Sequence, residues 1–260
     1  MAILDHPSFL QPADPSAKLW RYMDLAKFID LLQSERLFFA TASHLGDPLE
    51  GSVPLRMSKE YIDQLIQKHG IENLQIWPDV ANATALKIAG VMAEQRQMLC
   101  GHTYVSCWHM NEHESAAMWR VYSQSAESVC VQTRYSKLAA ALPDNIYLGA
   151  VRYIDYESDF FEPGNAFNPF VHKRMSFQHE SEIRAVFQNH PAVPAEHTYF
   201  KDDLCPGGAR IKVGIDDVIE AAFVNPASPS WFKNVVANIV AKYGAKFPVL
   251  QSKLNTAPLY

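Results

Sequence analysis

Two glutamates one residue apart, Glu180-Ser181-Glu182, close a basic, aromatic run and open an apolar one. Upstream lie Phe170, His172, Lys173, Arg174 and Phe177, predicted to form a turn or two of helix. Downstream, Ile183-Arg184-Ala185-Val186-Phe187 reads as a half-buried strand. Residues two apart on a strand point to one face, so both carboxylates would share a side where a loop enters a sheet. Lys173, Arg174 and Arg184 would stand close by. Like charges at that range raise at least one carboxyl pKa, and cations lower it. Groups tuned in this way serve as an acid, a base or an anchor for a sugar hydroxyl. The plain alternative is a solvated strand end with surface ion pairs.

Other residues could take part. Arg21 lies in Leu19-Trp20-Arg21-Tyr22. An arginine on a short strand can hold a phosphate through two parallel hydrogen bonds; the alternative is a salt bridge at the sheet edge. His109-Met110-Asn111-Glu112-His113 matches H-x-x-E-H, the inverted zinc-hydrolase motif, with Glu180 or Glu182 as a distant third ligand. That motif needs a helix through both histidines. A strand-like stretch over residues 104–108 places His109 in a turn instead, so both histidines are expected in solvent and no metal is predicted. Cys107 beside them is a candidate nucleophile or metal half-site, against the ordinary account of a small buried strand cysteine. Trp108, Trp119 and Tyr122 read mostly as core, with one available as a stacking wall for a base or nicotinamide. The sequence contains no Walker loop, no GxGxxG and no GxSxG, which removes the commonest ATPase, Rossmann and α/β-hydrolase readings.

These groups need elements to hold them. Residues 1–18 read as an extended N-terminal arm and residues 19–22 as a short strand. Asp24 is placed to cap a helix whose apolar face is Leu25, Phe28, Ile29 and Leu32 and which runs to about Ser34. A short apolar strand over 37–40 precedes the turn-forming Asp47-Pro48-Leu49-Glu50-Gly51, with its two acids. Residues 58–99 read as a helical insertion of two helices. One carries the stripe Tyr61, Leu65 and Ile66 and stops at Gly70; the other covers about 83–99. Then come a strand over 104–108, a helix over 115–122 capped by Asn111 or a nearby acid, a strand over 129–133 and a short helix over 137–142. One longer strand over 146–156 and a loop over 157–169 lead into the glutamate pair. The proline-containing loop 188–206 is expected to cover a cleft. Strands over 209–215 and 218–224, a helix over 231–243 stopped by Gly244 and a strand over 247–250 complete the chain. Strict βαβ alternation is missing. The expected class is therefore α+β: a mixed, mostly antiparallel central sheet flanked by helices, in a single domain over 19–260.

The totals fit that class. With 260 residues, 48% hydrophobic and 20% charged, the chain can bury a sizeable core. A net charge of −5 argues against a chain-wide nucleic-acid footprint, though not against a local basic cleft. Cys100, Cys107, Cys130 and Cys205 form no CxxC pair, as expected of reduced thiols in a cytoplasmic protein. No apolar run approaches a membrane span, and no signal peptide is read at the start.

Taken in order, Leu19-Trp20-Arg21-Tyr22, Asp47-Pro48-Leu49-Glu50, Tyr104-Val105-Ser106-Cys107, Met118-Trp119-x-x-Tyr122, Val129-Cys130-Val131, Lys173 and Glu180-x-Glu182-x-Arg184 resemble the bacterial family catalogued as domain of unknown function 2971. The resemblance covers about residues 19–250 and carries no activity with it. A second resemblance is to ADP-ribosyltransferases of the DNA-modifying toxin kind. Those chains open with a short strand bearing Arg or His, and a late E-x-E or Q-x-E pair stands at a loop-to-strand junction. The resemblance implies an ADP-ribosyltransferase-like fold with Glu182 as the catalytic glutamate and Glu180 as the companion that helps choose the acceptor. It makes Arg21 the first-strand arginine on the NAD phosphates or ribose, and Ser106 the middle-strand serine. Tyr22, Trp119, Tyr122, Lys173 and Arg184 are carried with them as cofactor-binding candidates.

The expectation is thus an enzyme that cleaves NAD as its substrate and transfers ADP-ribose to an acceptor, protein or nucleic acid, as a toxin or phage-defence effector. Two rivals stay open: a metal-dependent nuclease or hydrolase built on Glu180 and Glu182, with Lys173 near the phosphate, and a ligand-binding or regulatory domain without turnover.

Overall fold

Asp24 ends one element and starts the next. It is the last residue of β1 (Lys18–Asp24), and its carboxylate accepts from the Lys27 amide at 2.8 Å, capping α1 (Leu25–Ser34) as its sequence position predicts. Glu35, left-handed at φ 52°, turns the chain into β2 (Arg36–Thr41). In this computed structural model, residues 1–68, 78–123, 125–162, 164–190, 194 and 198–256 are described. The chain continues through α2 (Leu55–Lys68), α3 (Pro78–His102), β3 (Thr103–Met110), α4 (Ala116–Tyr122), β4 (Ser128–Arg134) and α5 (Tyr135–Ala141). β5 (Tyr147–Ala150), β6 (Arg152–Ile154), α6 (Asn168–Val171), β7 (His172–Arg174), a 3-10 turn (Met175–Glu180) and β8 (Glu182–Gln188) follow. β9 (Leu204–Cys205), β10 (Gly208–Lys212), α7 (Ile215–Val218), β11 (Ala221–Val224), α8 (Ser230–Lys242) and β12 (Val249–Gln251) complete it.

The architecture is α+β: a mixed, mostly antiparallel sheet flanked by helices. The strands run β12-β11-β4-β1-β3-β2-β10-β9, with β8 beside β3 and β5 beside β8. In this sheet only β11 and β12 are parallel neighbours among the described residues. One feature of the ladder matters most for chemistry. β8 pairs with β3 from Thr103↔Gln188 to His109↔Glu182 and so fills one edge of β3. β1 and β2 therefore share the other edge. β1 pairs there at Leu19↔Met110 and Trp20↔His109, and β2 at Ala40↔Val105 and Thr41↔Tyr104. Between these contacts β1 continues against β4 and β2 against β10. The sheet is split beside Ser106, Cys107 and Trp108.

Three apolar clusters fix the strands around that split. The largest packs Phe28, Leu31 and Leu32 of α1, Leu138 of α5 and Val236 of α8 against Leu19, Met23, Trp108, Ile183 and Phe187. Each such side chain contributes about 1.5–3 kcal/mol on burial. A second joins Val105, Val186, Phe170 and Cys100, and a third joins Trp20, Tyr22, Met118, Trp119 and Cys130. The N-terminal arm is packed along β5 through bridges Ile3↔Tyr147 and Leu10↔Ala150. A Cβ at Gly149 would lie 2.8 Å from the Phe9 backbone, so glycine is needed for the arm to cover this edge.

The sequence expectations need several corrections. The single strand over 146–156 is two, β5 and β6, because the partner changes from β8 to β7 while the apolar pattern continues. The segment 170–177 is α6, β7 and part of a 3-10 turn rather than one helix. Ser115, not Asn111 or an acid, caps α4, accepting from the Met118 amide at 3.3 Å. The 218–224 strand begins as α7 and extends only over β11, and the 209–215 strand ends at Lys212. β8 is buried on both faces rather than half-buried, because β3 and β5 flank it and apolar layers cover both sides. Helices α2 and α3 occupy the segment expected to be helical; the stop at Gly70 and much of the 188–206 loop lie outside the described residues.

Candidate functional site

The ladder between β3 and β8 sets the site. Paired residues in an antiparallel ladder project to the same face. Glu182 is paired with His109 and Arg184 with Cys107, so these four side chains share the face that lines the cleft. Glu180 reaches it differently. It ends the 3-10 turn, and Ser181, left-handed at φ 40°, reverses the chain into β8. The two glutamates converge as expected, but through a turn rather than strand alternation.

Arg184 is the centre of a buried charge network. It is 1% exposed, and all five of its N–H donors are used. Nε donates to Glu182 Oε1 at 2.9 Å and Nη2 to Glu182 Oε2 at 3.1 Å. Nη2 also donates to Glu50 Oε2 at 3.1 Å, and Nη1 donates to Glu50 Oε1 and, at 2.7 Å, to the Phe170 carbonyl. Lys173, also buried, pairs closely with Glu180 Oε2 and reaches Glu182 Oε2 at 3.5 Å. The Tyr122 hydroxyl donates to Glu180 Oε1 at 3.0 Å. Three carboxylates thus meet two cations. In a divalent-metal site carboxylates converge on one open position; here Lys173 and Arg184 hold that place.

The same contacts tune the acids in opposite directions. Burial pushes the Glu182 carboxyl up, but the charges of Arg184 and Lys173, with the Arg184 hydrogen bonds, outweigh it and bring it down to about 2. Glu50 also grips Arg184 with both oxygens, yet burial wins there, Glu182 adds repulsion, and its carboxyl is raised. Burial first, and the adjacent glutamates second, keep the Tyr122 phenol protonated. The Cys107 thiol is pushed well above its ordinary value by burial and by Glu182. A thiol raised in this way fits the small strand cysteine better than the nucleophile.

Across the split stands Arg21. Its Nη1 donates to Ser106 Oγ at 2.9 Å and its Nη2 to the Phe38 carbonyl at 2.8 Å, so it bridges the two diverging strands. The guanidinium lies over the Trp108 ring, 5.6 Å from its centroid. The other arginines and lysines around the cleft pair with carboxylates: Lys27 with Asp24, Arg36 with Asp203, Arg174 with Asp47 and Arg210 with Asp30. Arg21 has no such pair among the described residues, and burial lowers its pKa without removing its charge. The Trp108 Nε1 beneath it is a buried donor without a partner among the described residues. The sheet-edge salt bridge considered for Arg21 is therefore not what forms. The cleft holds about 590 Å³, enough for a nucleotide-sized ligand, with Arg21 at the split and Glu180 and Glu182 at the β8 side.

Several expected site residues take other positions. Arg184 has no donor left for a phosphate without releasing a present partner, and the charge of Lys173 is engaged by Glu180 and Glu182. Trp119 does not line this cleft; it packs edge-on to Tyr22 at 4.9 Å in the cluster behind it. Tyr22 and Tyr122 do line it, and Phe38, 37% exposed, supplies a further aromatic surface. His109 is on β3 and buried, not in a solvent-facing turn, while His113 is exposed in the following loop. The helix that H-x-x-E-H requires is not formed. Glu50 and Asp47 join the site without having been singled out for it. Their signal was the two-acid turn ending in Gly51, whose φ of +70° and close approach to Cys100 and Phe170 demand glycine.

No protein-family model matches the chain, and neither a curated protein nor a solved structure matches it.

Proposed function

We propose that the chain is an ADP-ribosyltransferase-like enzyme that cleaves NAD and passes ADP-ribose to an acceptor. The observation that carries this reading is Arg21: a guanidinium without a carboxylate among the described residues, hydrogen-bonded to Ser106, in one cleft with the buried Glu180 and Glu182. An unpaired cation over an unpartnered indole N–H suits an anion such as a pyrophosphate. Carboxylates at the other side suit a sugar hydroxyl and developing positive charge.

In the reaction, the bond between ribose C1′ and the pyridinium nitrogen breaks, and nicotinamide leaves as a neutral molecule with the bonding electron pair. The acceptor's nucleophile forms the new bond to C1′ and gives up its proton. Positive charge peaks on the ribose in the transition state. Glu182 is suited to stabilise it, because its depressed carboxyl stays ionised at neutral pH and Arg184 holds both of its oxygens in place. Glu180, fixed by Tyr122 and Lys173, is the companion beside the acceptor. Tyr22, Phe38 and Tyr122 offer aromatic surface that keeps water from C1′, favouring transfer over hydrolysis.

The test is incubation of the purified protein with NAD, following nicotinamide release for wild type, Glu182→Gln and Arg21→Gln. Release by wild type alone, with both variants folded by circular dichroism, is the expected result. Undiminished release by Glu182→Gln would remove this reading.

A further inference from the structure

His109 has a use that the proposed transfer chemistry leaves open. Its Nδ1 lies 2.5 Å from the Glu180 backbone carbonyl. A carbonyl oxygen only accepts, so Nδ1 carries the hydrogen. Burial lowers the pKa of the imidazole and favours the neutral ring. A neutral ring protonated on Nδ1 has a bare lone pair on Nε2. That atom is buried and has no hydrogen-bond partner among the described residues, although the residue lines the cleft and is 5% exposed. Leaving a buried acceptor open is costly to the fold. The ring is not idle packing either: Nδ1 ties it to the turn carrying Glu180, its ladder partner is Glu182, and the Tyr22 ring lies 6.4 Å away. A polar lone pair is thus held beside both glutamates in a partly aromatic, desolvated wall.

We propose that His109 Nε2 is a specificity-determining acceptor that receives an N–H of the ligand's carboxamide, so that the cleft reads a neutral amide on the leaving ring. The inference rests on the NAD reading and deepens it. The pairing is one of complement: the glutamates and Lys173 pair with one another, whereas no described residue donates to Nε2 and a donor brought into the cleft would satisfy it. A carboxamide has such a donor. A ring substituent with a methyl in its place does not, and would leave Nε2 as it is in the free protein.

The experiment measures dissociation constants of NAD and of 3-acetylpyridine adenine dinucleotide, which differ by amide NH₂ against methyl and carry the same charge. Wild type, His109→Asn and His109→Gln are compared by tryptophan fluorescence, with thermal melts alongside. Asparagine can keep the donor to the Glu180 carbonyl but lacks an atom at Nε2; glutamine can present an acceptor near Nε2. Wild type is expected to prefer NAD by about tenfold, the equivalent of one hydrogen bond to a buried acceptor. His109→Asn is expected to bind the two equally, and His109→Gln to retain much of the preference. A wild type that binds both dinucleotides equally, as it would if Nε2 is met by a bound water only, overturns the role of His109 and leaves the NAD reading standing. The same holds if His109→Asn, folded, keeps the full preference. A wild type that binds neither dinucleotide overturns both.

Discussion

Glu182 and Arg184, two residues apart on β8, face each other on the cleft side of the sheet and are joined at two points, Nε to Oε1 at 2.9 Å and Nη2 to Oε2 at 3.1 Å. Glu50, from a turn far away in the chain, holds the opposite side of the same guanidinium. The orientation of the glutamate proposed to act on NAD is therefore set by a buried residue that does not itself need to touch the ligand. Burying this ion cluster is costly in isolation, and its oxygens and donors are matched to limit that cost. The arrangement fixes one carboxylate position at the mouth of a split in the sheet.

Removing Arg184 should then be severe. In Arg184→Met, Glu50 and Glu182 are left buried without their cation, and a loss of about 3–5 kcal/mol is expected in urea unfolding. Arg184→Lys should recover only part of it, because an ammonium cannot form the two forked contacts. A midpoint for Arg184→Lys equal to wild type would show that the fork geometry is unimportant.

The depressed Glu182 carboxyl makes stability depend on acid. In the unfolded chain the group titrates near its ordinary value of 4.5, and in the fold at about 2. Between those values the unfolded state binds more protons, so stability falls as pH drops through this window. The single group accounts for about 3 kcal/mol across it. Glu50 acts in the opposite sense: its raised carboxyl gives a contribution that is full below pH 4.5 and declines as pH rises above it. Urea midpoints measured from pH 5 to pH 2 should decline steeply for wild type. Glu182→Gln should be less stable at neutral pH and decline less over the same range.

Tyr122 connects the exposed end of α4 to the site. It is 45% exposed, yet its hydroxyl donates to Glu180. Tyr122→Phe keeps the ring and deletes that contact. Stability should change by no more than about 1 kcal/mol, while nicotinamide release slows by about tenfold if Glu180 must be held in place. Equal rates in the two proteins would assign Tyr122 to packing alone.

Sequence patterning reveals the strands and helices here more readily than their meetings. Leu19, Trp20, Phe28 and Leu32 mark β1 and α1 because their burial is written in local apolar spacing. Asp24 marks the junction because capping is local too. Arg184 is different: in an apolar run it reads as the exposed position of a half-buried strand, and the Glu50 that permits its burial lies 134 residues away. The split that opens the cleft is equally invisible, since it depends on where β1 and β2 each leave β3. Glu180 and Glu182 were legible as a pair, but the turn through Ser181 that aims Glu180 was not.

Arg21 offers the sharpest separation of stability from function. Its cation is partly desolvated, and the fold supplies a hydroxyl, a carbonyl and an indole face but no carboxylate among the described residues. Such a group costs the free protein stability unless a ligand completes it. Arg21→Met preserves length and apolar contact and removes the charge. Its melting temperature should equal or exceed that of wild type without ligand, while its affinity for NAD falls at least about tenfold, as expected for loss of a charge-assisted contact. Saturating NAD should raise the wild-type melting temperature and leave that of Arg21→Met nearly unchanged. If the variant is instead strongly destabilised and still shifts with NAD, Arg21 is a strut across the split between β1 and β2, and the anion must be held elsewhere.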